Sequence, residues 1–352
     1  MKEASKGFVE HATRICQQNP KSIALPESVD PRTLLAAEKL INTGTASTVY
    51  LFGVPDEIRR SANEAGVNWK TIAAKIRFAT DEIPDLGEVA AKHFQDVLAQ
   101  KGKTCSETDL AKQRENQLLL AGELLHLGKV DAALAGAVAT TADVIRAAIS
   151  SVGLAAGCRT VSGSFLMDRP ATNDHDPSLT FIYGDCGVVV DPTPAQLTDI
   201  AWSCVQTWNK LLSPSHGPAR VAFLSFSTRG SAAHPRVEKV QAAWEMFTKA
   251  HPDVLCDGEL QFDSAFVPRV SERKAPNSPI QGRANCFIFP DLDAGNIAYK
   301  ITQRLGGFAA FGPILQGLKR PYSDLSRGAS VDDIFASAMI NMLRAGSQAH
   351  HF

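Results

Sequence analysis

The chain has 352 residues, the length of two ordinary domains rather than one. With 44% hydrophobic and 21% charged residues it has the composition of a folded soluble protein, which excludes a disordered or fibrous chain. Lys plus Arg number 36 against 37 Asp plus Glu, so the formal net charge of −1 gives no electrostatic footprint for nucleic acid or an anionic membrane. Any bound anion is therefore held by a local site.

No apolar run reaches the ~18–20 residues of a membrane span. The first twenty residues lack the apolar segment of a secretory signal, and a cytoplasmic location is expected. The cysteines at 16, 105, 158, 186, 204, 256 and 286 are scattered and never paired as C-x-x-C. They indicate reduced thiols rather than a disulfide framework or a zinc site. The nine histidines show no H-E-x-x-H spacing, so no metal site is expected.

The first clear unit is Ser22–Pro26, a buried-strand run, followed by Asp30-Pro31. An N-cap aspartate with proline at the first helical position predicts a helix to about Gly44. Thr48–Phe52 is the next strand, and strand–helix–strand with short joints predicts a parallel sheet. The alternation recurs as helix 116–127, strand 130–135 and helix 141–150. It continues as helix 191–212, strand 220–226, helix 235–249, strand 284–289, helix 296–305, strand 308–314 and helix 330–345. The polar stretch Met167–Asp176 reads as an irregular excursion or boundary. The fold class is α/β, two domains with mainly parallel sheets, and such sheets place function in loops leaving the carboxyl ends of strands.

Four loops carry chemistry by composition. Pro321–Asp333 puts Ser326-Arg327-Gly328 beside the N-terminus of the last helix, where orphan N–H groups and the dipole favour an anion. Arg327 can add a bidentate contact. The same loop also reads as helix chemistry alone, because Ser330-x-x-Asp333 is a capping box. Ser225–Ser231, with Ser227, Thr228 and Arg229, is either an anion cradle or ordinary loop composition. Gly136–Asp143 runs from strand to helix with Thr140 or Thr141 as N-cap and Arg146 one turn on, a solvated charge or a ligand contact. Arg273–Asn285 carries Lys274, Asn277, Ser278 and Arg283, either solvated or facing an anion. Neither G-x-G-x-x-G nor a P-loop is present, and no G-x-S-x-G nucleophile elbow occurs.

In order along nearly the whole chain, these segments resemble the phosphate acetyl/butyryltransferase family. They include Ile23-Ala-Leu-Pro-Glu27 with Asp30-x-Arg32, Gly128-Lys-Val-Asp131, Gly136–Arg146 and Leu224–Ser231. Asp257–Asp263, Lys274–Pro279, Gly282–Asn285, Phe289–Asn296 with Tyr299-Lys300, Gly312–Gly317 and Ser323–Gly328 complete the series. The resemblance implies reversible acetyl transfer between acetyl phosphate and coenzyme A by direct attack of the thiol in a ternary complex. It implies no permanent cofactor; coenzyme A or acetyl-CoA, acetyl phosphate and phosphate are the small-molecule partners. By the same resemblance, Ser326 and Arg327 hold the phosphoryl group and Asp333 is the base toward the thiol. Arg146 contacts coenzyme A, and Thr140, Thr141, Ser227, Thr228, Lys274, Asn277, Ser278 and Arg283 fall in the family's substrate-binding motifs. A carboxylate near pKa ~4 is a weak base toward a thiol near ~8.5, so Asp333 must be raised by burial or accept the proton late.

The resemblance further implies a discontinuous first domain, 1–157 plus 312–352, a second domain, 158–311, an active-site cleft between them and a homodimer. This sequence departs from the family pattern with alanine at 135 and 139, where serine and histidine are common, and with Leu98 at an arginine position. The departures at Leu98 and Ala139 keep one alternative, a non-catalytic module that senses acetyl-CoA; a second, a longer acyl group as in a phosphate butyryltransferase, turns on pocket-lining residues that the sequence does not identify. A decarboxylating dehydrogenase relative would want nicotinamide and metal sites that the sequence does not show.

Overall fold

The strand–helix alternation closes into two separate sheets, each the core of its own unit. The computed structural model describes residues 6–171, 173 and 177–345. One unit comprises Val9–Ala156 with residues 318–345, the other Gly157–Gly317 with residues 6–8. The second unit keeps the chain through Gly317 because its last strand pairs along its length with the first, so the segment expected to return at Gly312 does so at Leu318.

The first part of the chain gives α1 (Lys6–Gln18), β1 (Lys21–Leu25), α2 (Pro31–Asn42), β2 (Ala46–Leu51), α3 (Pro55–Glu64) and α4 (Trp69–Ile72). β3 (Ile76–Phe78), α5 (Ala79–Glu82), α6 (Leu86–Gln100), α7 (Glu107–Arg114), α8 (Gln117–His126), β4 (Ala132–Leu134) and α9 (Thr141–Ser151) follow. The middle of the chain forms β5 (Ser162–Arg169), β6 (Leu179–Gly184), α10 (Pro194–Leu211), α11 (Ser213–His216), β7 (Arg220–Leu224) and α12 (Pro235–Ala250). It continues with β8 (Leu255–Leu260), α13 (Phe262–Phe266), α14 (Pro268–Lys274), β9 (Cys286–Ile288), α15 (Leu292–Leu305) and β10 (Ala309–Gln316). The chain ends with β11 (Tyr322–Ser323) and α16 (Val331–Ala345).

The first unit holds a five-stranded, all-parallel sheet in the order β11-β4-β1-β2-β3. Its inner strands are apolar runs such as Ile23-Ala24-Leu25 and Ala132-Ala133-Leu134, buried on both faces as helix-covered parallel strands must be. Its helices start where capping chemistry says they should. Asp30 accepts the Arg32 N–H ahead of Pro31, and Thr140 accepts the Asp143 N–H. The other unit holds a six-stranded sheet ordered β10-β5-β6-β9-β7-β8, parallel except where β5 pairs with β10 and β6. Phe165, Phe181, Tyr183, Phe287 and Phe289 dominate its core.

Met167–Arg169 belongs to β5 rather than to an irregular excursion. Met167 is fully buried, and Asp168 is made tolerable inside by the Thr180 hydroxyl at 2.8 Å and the Phe8 N–H at 3.1 Å. Residues 172 and 174–176 of that stretch lie outside the described residues. Among the described residues no helix is long and apolar enough to cross a membrane.

Helices α8 and α9 pack through Gly122. A Cβ built there lies 1.9 Å from Ser151 Oγ and 2.8 Å from Ser151 Cβ. Helix propensity favours alanine by about 1 kcal/mol, while overpacking costs about 1–3 kcal/mol. Gly122→Ala should therefore lower the melting temperature despite the better helix former; a rise would show that close packing here contributes nothing.

Candidate active site

In the five-stranded sheet the chain runs from β1 outward to β2 and β3, whereas β4 and β11 lie on the other side of β1. The loops after β1 and β4 therefore part company, and the crevice they leave at the carboxyl ends of the strands is the topological switch point. Glu27, just past β1, fills it. Its Oε2 accepts the Ala137 N–H at 2.7 Å, and its Oε1 accepts those of Val138 at 2.9 Å and Ala139 at 2.7 Å. Arg32, in the first turn of α2, completes the arrangement with every N–H it has. Nε and Nη2 donate to Asp30, Nη2 also to the Ala137 carbonyl at 2.7 Å, and Nη1 to the carbonyls of Arg327 at 2.8 Å and Ala329 at 3.0 Å. One carboxylate and one guanidinium thus fix both the β4 loop and the loop after β11. The alanines at 135 and 139 leave this frame intact, because the contact at 139 is made by its backbone N–H.

Ser326, Arg327 and Asp333 follow on that fixed loop. Ser326 Oγ accepts the Gly328 N–H at 3.3 Å, and its carbonyl accepts that of Ala329. The Arg327 guanidinium is exposed and, among the described residues, has neither a hydrogen bond nor an ion pair. Asp333 forms the capping box: its Oδ2 accepts the Ser330 N–H at 2.9 Å and hydroxyl at 2.8 Å, and Ser330 Oγ accepts the Asp333 N–H at 3.2 Å. Asp333 Oδ1 is left without a partner among the described residues, so the structural role occupies one oxygen and leaves the other.

Thr140 is the N-cap of α9, and its hydroxyl donates to Asp143, which also pairs with Arg146. Arg146 stays exposed there, on a surface carboxylate that competes weakly for it. The Thr141 hydroxyl instead donates at 2.6 Å to Oδ2 of Asp324, a carboxylate only 1% exposed. Asp324 Oδ1 is buried and finds only the adjacent Leu325 N–H, outside good hydrogen-bond geometry. Burial pushes this carboxyl up to about 6, against the hydrogen bonds it accepts. Gly136, at φ +103, permits the approach, since a Cβ there would lie 2.2 Å from Asp324 Oδ1.

In the six-stranded sheet the corresponding switch point lies between β7 and β9. A cavity of about 440 Å³ opens there, lined by Ser225, Phe226, Lys239, Phe262, Phe289 and Asp291 among others. The neighbouring loop residues face inward. Ser227 Oγ is buried between the Glu259 carboxylate at 2.8 Å and the Ala232 N–H at 3.1 Å. Thr228 Oγ1 accepts the Gln261 N–H at 2.9 Å, and Arg229 pairs with buried Asp257 and lies over Trp244. These groups hold the loop in shape, so ordinary loop chemistry describes it better than an anion cradle.

Lys274 Nζ reaches Gln261 and Asp263 at the carboxyl end of β8. Asn277 is exposed, while Ser278 is buried with its Oγ lacking a hydrogen-bond partner. Arg283 departs from expectation. It lies beside the first residues of β6, β7 and β9, at the amino ends of the strands, because α13 and α14 carry the chain back across the sheet. It is therefore not gathered with Ser227, Thr228 and Lys274.

Sequence reasoning missed Glu27, Arg32 and Asp324 as site residues. All three stood inside recognised segments, but Glu27 and Arg32 reach backbone groups about 105 to 300 residues away and Asp324 accepts from Thr141, 183 residues before it, which no local pattern reports.

The phosphate acetyl/butaryl transferase family model matches residues 7–342. Phosphate acetyltransferase of Treponema pallidum is 36% identical over 343 residues, 97% of this chain and 99% of that protein. That of Thermoanaerobacterium thermosaccharolyticum is 40% identical over 319 residues, 90% of this chain and 93% of that protein. Among solved structures, a phosphotransacetylase from Streptococcus pyogenes has a TM-score of 0.85 at 35% identity, covering 97% of this chain and 99% of that one.

The raised Asp324 carboxyl predicts a pH signature. An unfolded aspartate ionises near ~4 and the folded one near about 6, so between these values the unfolded chain gives up its proton first and stability falls as pH rises. Asp324→Asn removes that dependence. Its melting temperature relative to the parent should climb from pH 4 to 6 and then level off; a constant difference across that range would contradict the assignment.

Proposed function

The chain belongs to the phosphate acetyl/butaryl transferase family, and from that premise we propose how its residues perform acetyl transfer between acetyl phosphate and coenzyme A. It is an acyltransferase, and its relatives at 36–40% identity are phosphate acetyltransferases, which favours acetyl over a longer acyl group and turnover over mere sensing. The observation that carries the assignment of roles is the unpaired Arg327 guanidinium, on a backbone fixed by Arg32, one helical cap away from Asp333.

Acetyl phosphate is a dianion. Arg327 can take two of its phosphoryl oxygens, with the Ser326 hydroxyl and the positive end of α16 beside it. The coenzyme A thiol attacks the acetyl carbonyl. The S–C bond forms as the C–O bond to phosphate breaks, and the thiol proton passes to Asp333 Oδ1. Sulfur becomes strongly acidic only as it bonds to carbon, so transfer late in the attack lets a partly exposed carboxylate serve as base. Arg327 meanwhile offsets the charge collecting on the departing phosphate. The nucleophile arrives with the substrate, consistent with five of the seven free cysteines being buried. Arg146 can swing from Asp143 to a phosphate of coenzyme A; in the absence of an arginine at Leu98 it carries more of that contact.

The test is thioester formation, followed by ultraviolet absorbance, from coenzyme A and acetyl phosphate. Arg327→Ala should lower kcat/KM by about 10²–10³-fold, the scale of losing one charge-stabilising group. Butyryl phosphate should turn over more slowly. Full activity in the variant, or an acetyl group trapped covalently on the protein, would refute these roles.

We further infer a homodimer formed through α15. Ile297, Ile301 and Leu305 recur every four residues along one exposed face, 57%, 53% and 85% accessible, an apolar stripe a monomer has no use for. Light scattering should give twice the chain mass at micromolar concentration and a monomer for Ile301→Asp. A monomeric parent protein would exclude the dimer.

A further inference from the structure

Helices α6 and α8 bring together three side chains that the transfer chemistry does not use. Glu123 and His126 stand three residues apart on α8 and so share a face, and His93 meets them from α6. Glu123 is 2% exposed, yet among the described residues its carboxylate has a single hydrogen-bond partner, His93 Nδ1 at 2.6 Å. The two imidazoles lie against each other, with ring centroids 4.3 Å apart. One ligand atom from each of the three residues falls within 4.8 Å of the others.

A carboxylate taken out of water needs strong compensation, and one imidazole is a meagre one. Two imidazoles and a carboxylate on rigid helices form a donor set that divalent zinc uses, with metal–ligand distances of about 2.0–2.2 Å. His126 is exposed and His93 partly so, which gives an ion a route in and leaves outward positions for water. We propose that His93, Glu123 and His126 form a binding site for a divalent transition-metal ion of the zinc class, clipping α6 to α8.

Coordination requires the His93–Glu123 hydrogen bond to open by a fraction of an ångström, so that both atoms face the ion rather than each other. Lys319 and Arg320 lie close enough to act on His126, and their positive charge opposes a bound cation, which weakens the site relative to a closed structural one.

The test uses the intact chain, stripped with chelator and with exposed thiols blocked so that Cys105 and Cys158 take no part. Zinc chloride competed against a chelating dye should give one ion per chain, and saturating zinc should raise the melting temperature by roughly 5 °C. Cobalt substituted for zinc should show visible d–d absorption typical of nitrogen and oxygen ligands. His126→Ala, at an exposed position that leaves folding unaffected, should weaken binding at least about tenfold and remove the thermal shift. Glu123→Gln should do the same while preserving the helix contact. No retained zinc, or binding equally tight in His126→Ala, would overturn the site.

Discussion

All five N–H groups of one guanidinium, on Arg32, are engaged, and three of their bonds run to backbone carbonyls on two separate loops. That constraint sets the geometry of everything proposed to act on substrate. Lysine could not reproduce it: its ammonium has three donors around a point, whereas the guanidinium spreads five over a plane. Asp30 balances the charge and also caps the helix that carries Arg32, so one short turn supplies helix start, counter-charge and clamp. Glu27 is the complement, a carboxylate that gathers three consecutive N–H groups where Arg32 gathers carbonyls. Together they satisfy backbone groups that loops at a sheet's end otherwise leave to water.

This division of labour explains how two unlike arginines, one on α2 and one on the loop after β11, can meet at the same loop. Arg32 is consumed by structure and binds the carbonyl of Arg327; Arg327 is thereby left with a fixed backbone and an uncommitted side chain. A pre-positioned, unpaired cation is what an acyl phosphate requires, because little reorganisation remains to be done when charge develops. Asp333 follows the same logic within a single carboxylate, one oxygen holding the helix and the other open. In the second unit the logic reverses. Arg229, Ser227 and Thr228 look equally suited to an anion by composition, but Asp257, Glu259 and Gln261 occupy them.

That contrast marks where sequence reading succeeds and stops. Asp30-Pro31, Thr140 and Ser330–Asp333 were legible because a cap and its partner lie within three residues. The sheet order was legible only as a class: alternation implies parallel strands, but not that β4 lies beside β1 across the sheet from β2. Arg229 and Arg327 cannot be told apart from their neighbours in sequence, since each stands in a Ser/Gly-rich loop before a helix. What separates them is a buried acid on the adjacent strand, Asp257, 28 residues downstream of Arg229. Arg283 misled for the same reason: its motif is sound, but only the reversal of the chain through α13 and α14 decides which end of the sheet it reaches. Asp168 shows the converse, a polar residue inside a strand because Thr180 and the Phe8 backbone meet it there.

The proposed reaction centre draws on residues 27–32 near one end of the chain and 324–333 near the other, with β11 contributing only two residues to hold the second set in the sheet. During synthesis the whole inserted unit, residues 157–317, is made before that last strand exists. Arg32 therefore waits through the synthesis of that whole unit for two of the carbonyls it will bind, and the loop proposed to hold phosphate takes its place only once β11 and α16 are made. A chain cut just before β11 would keep four of the five strands of that sheet yet lack the second set of residues, so a segment made late decides whether the proposed centre forms.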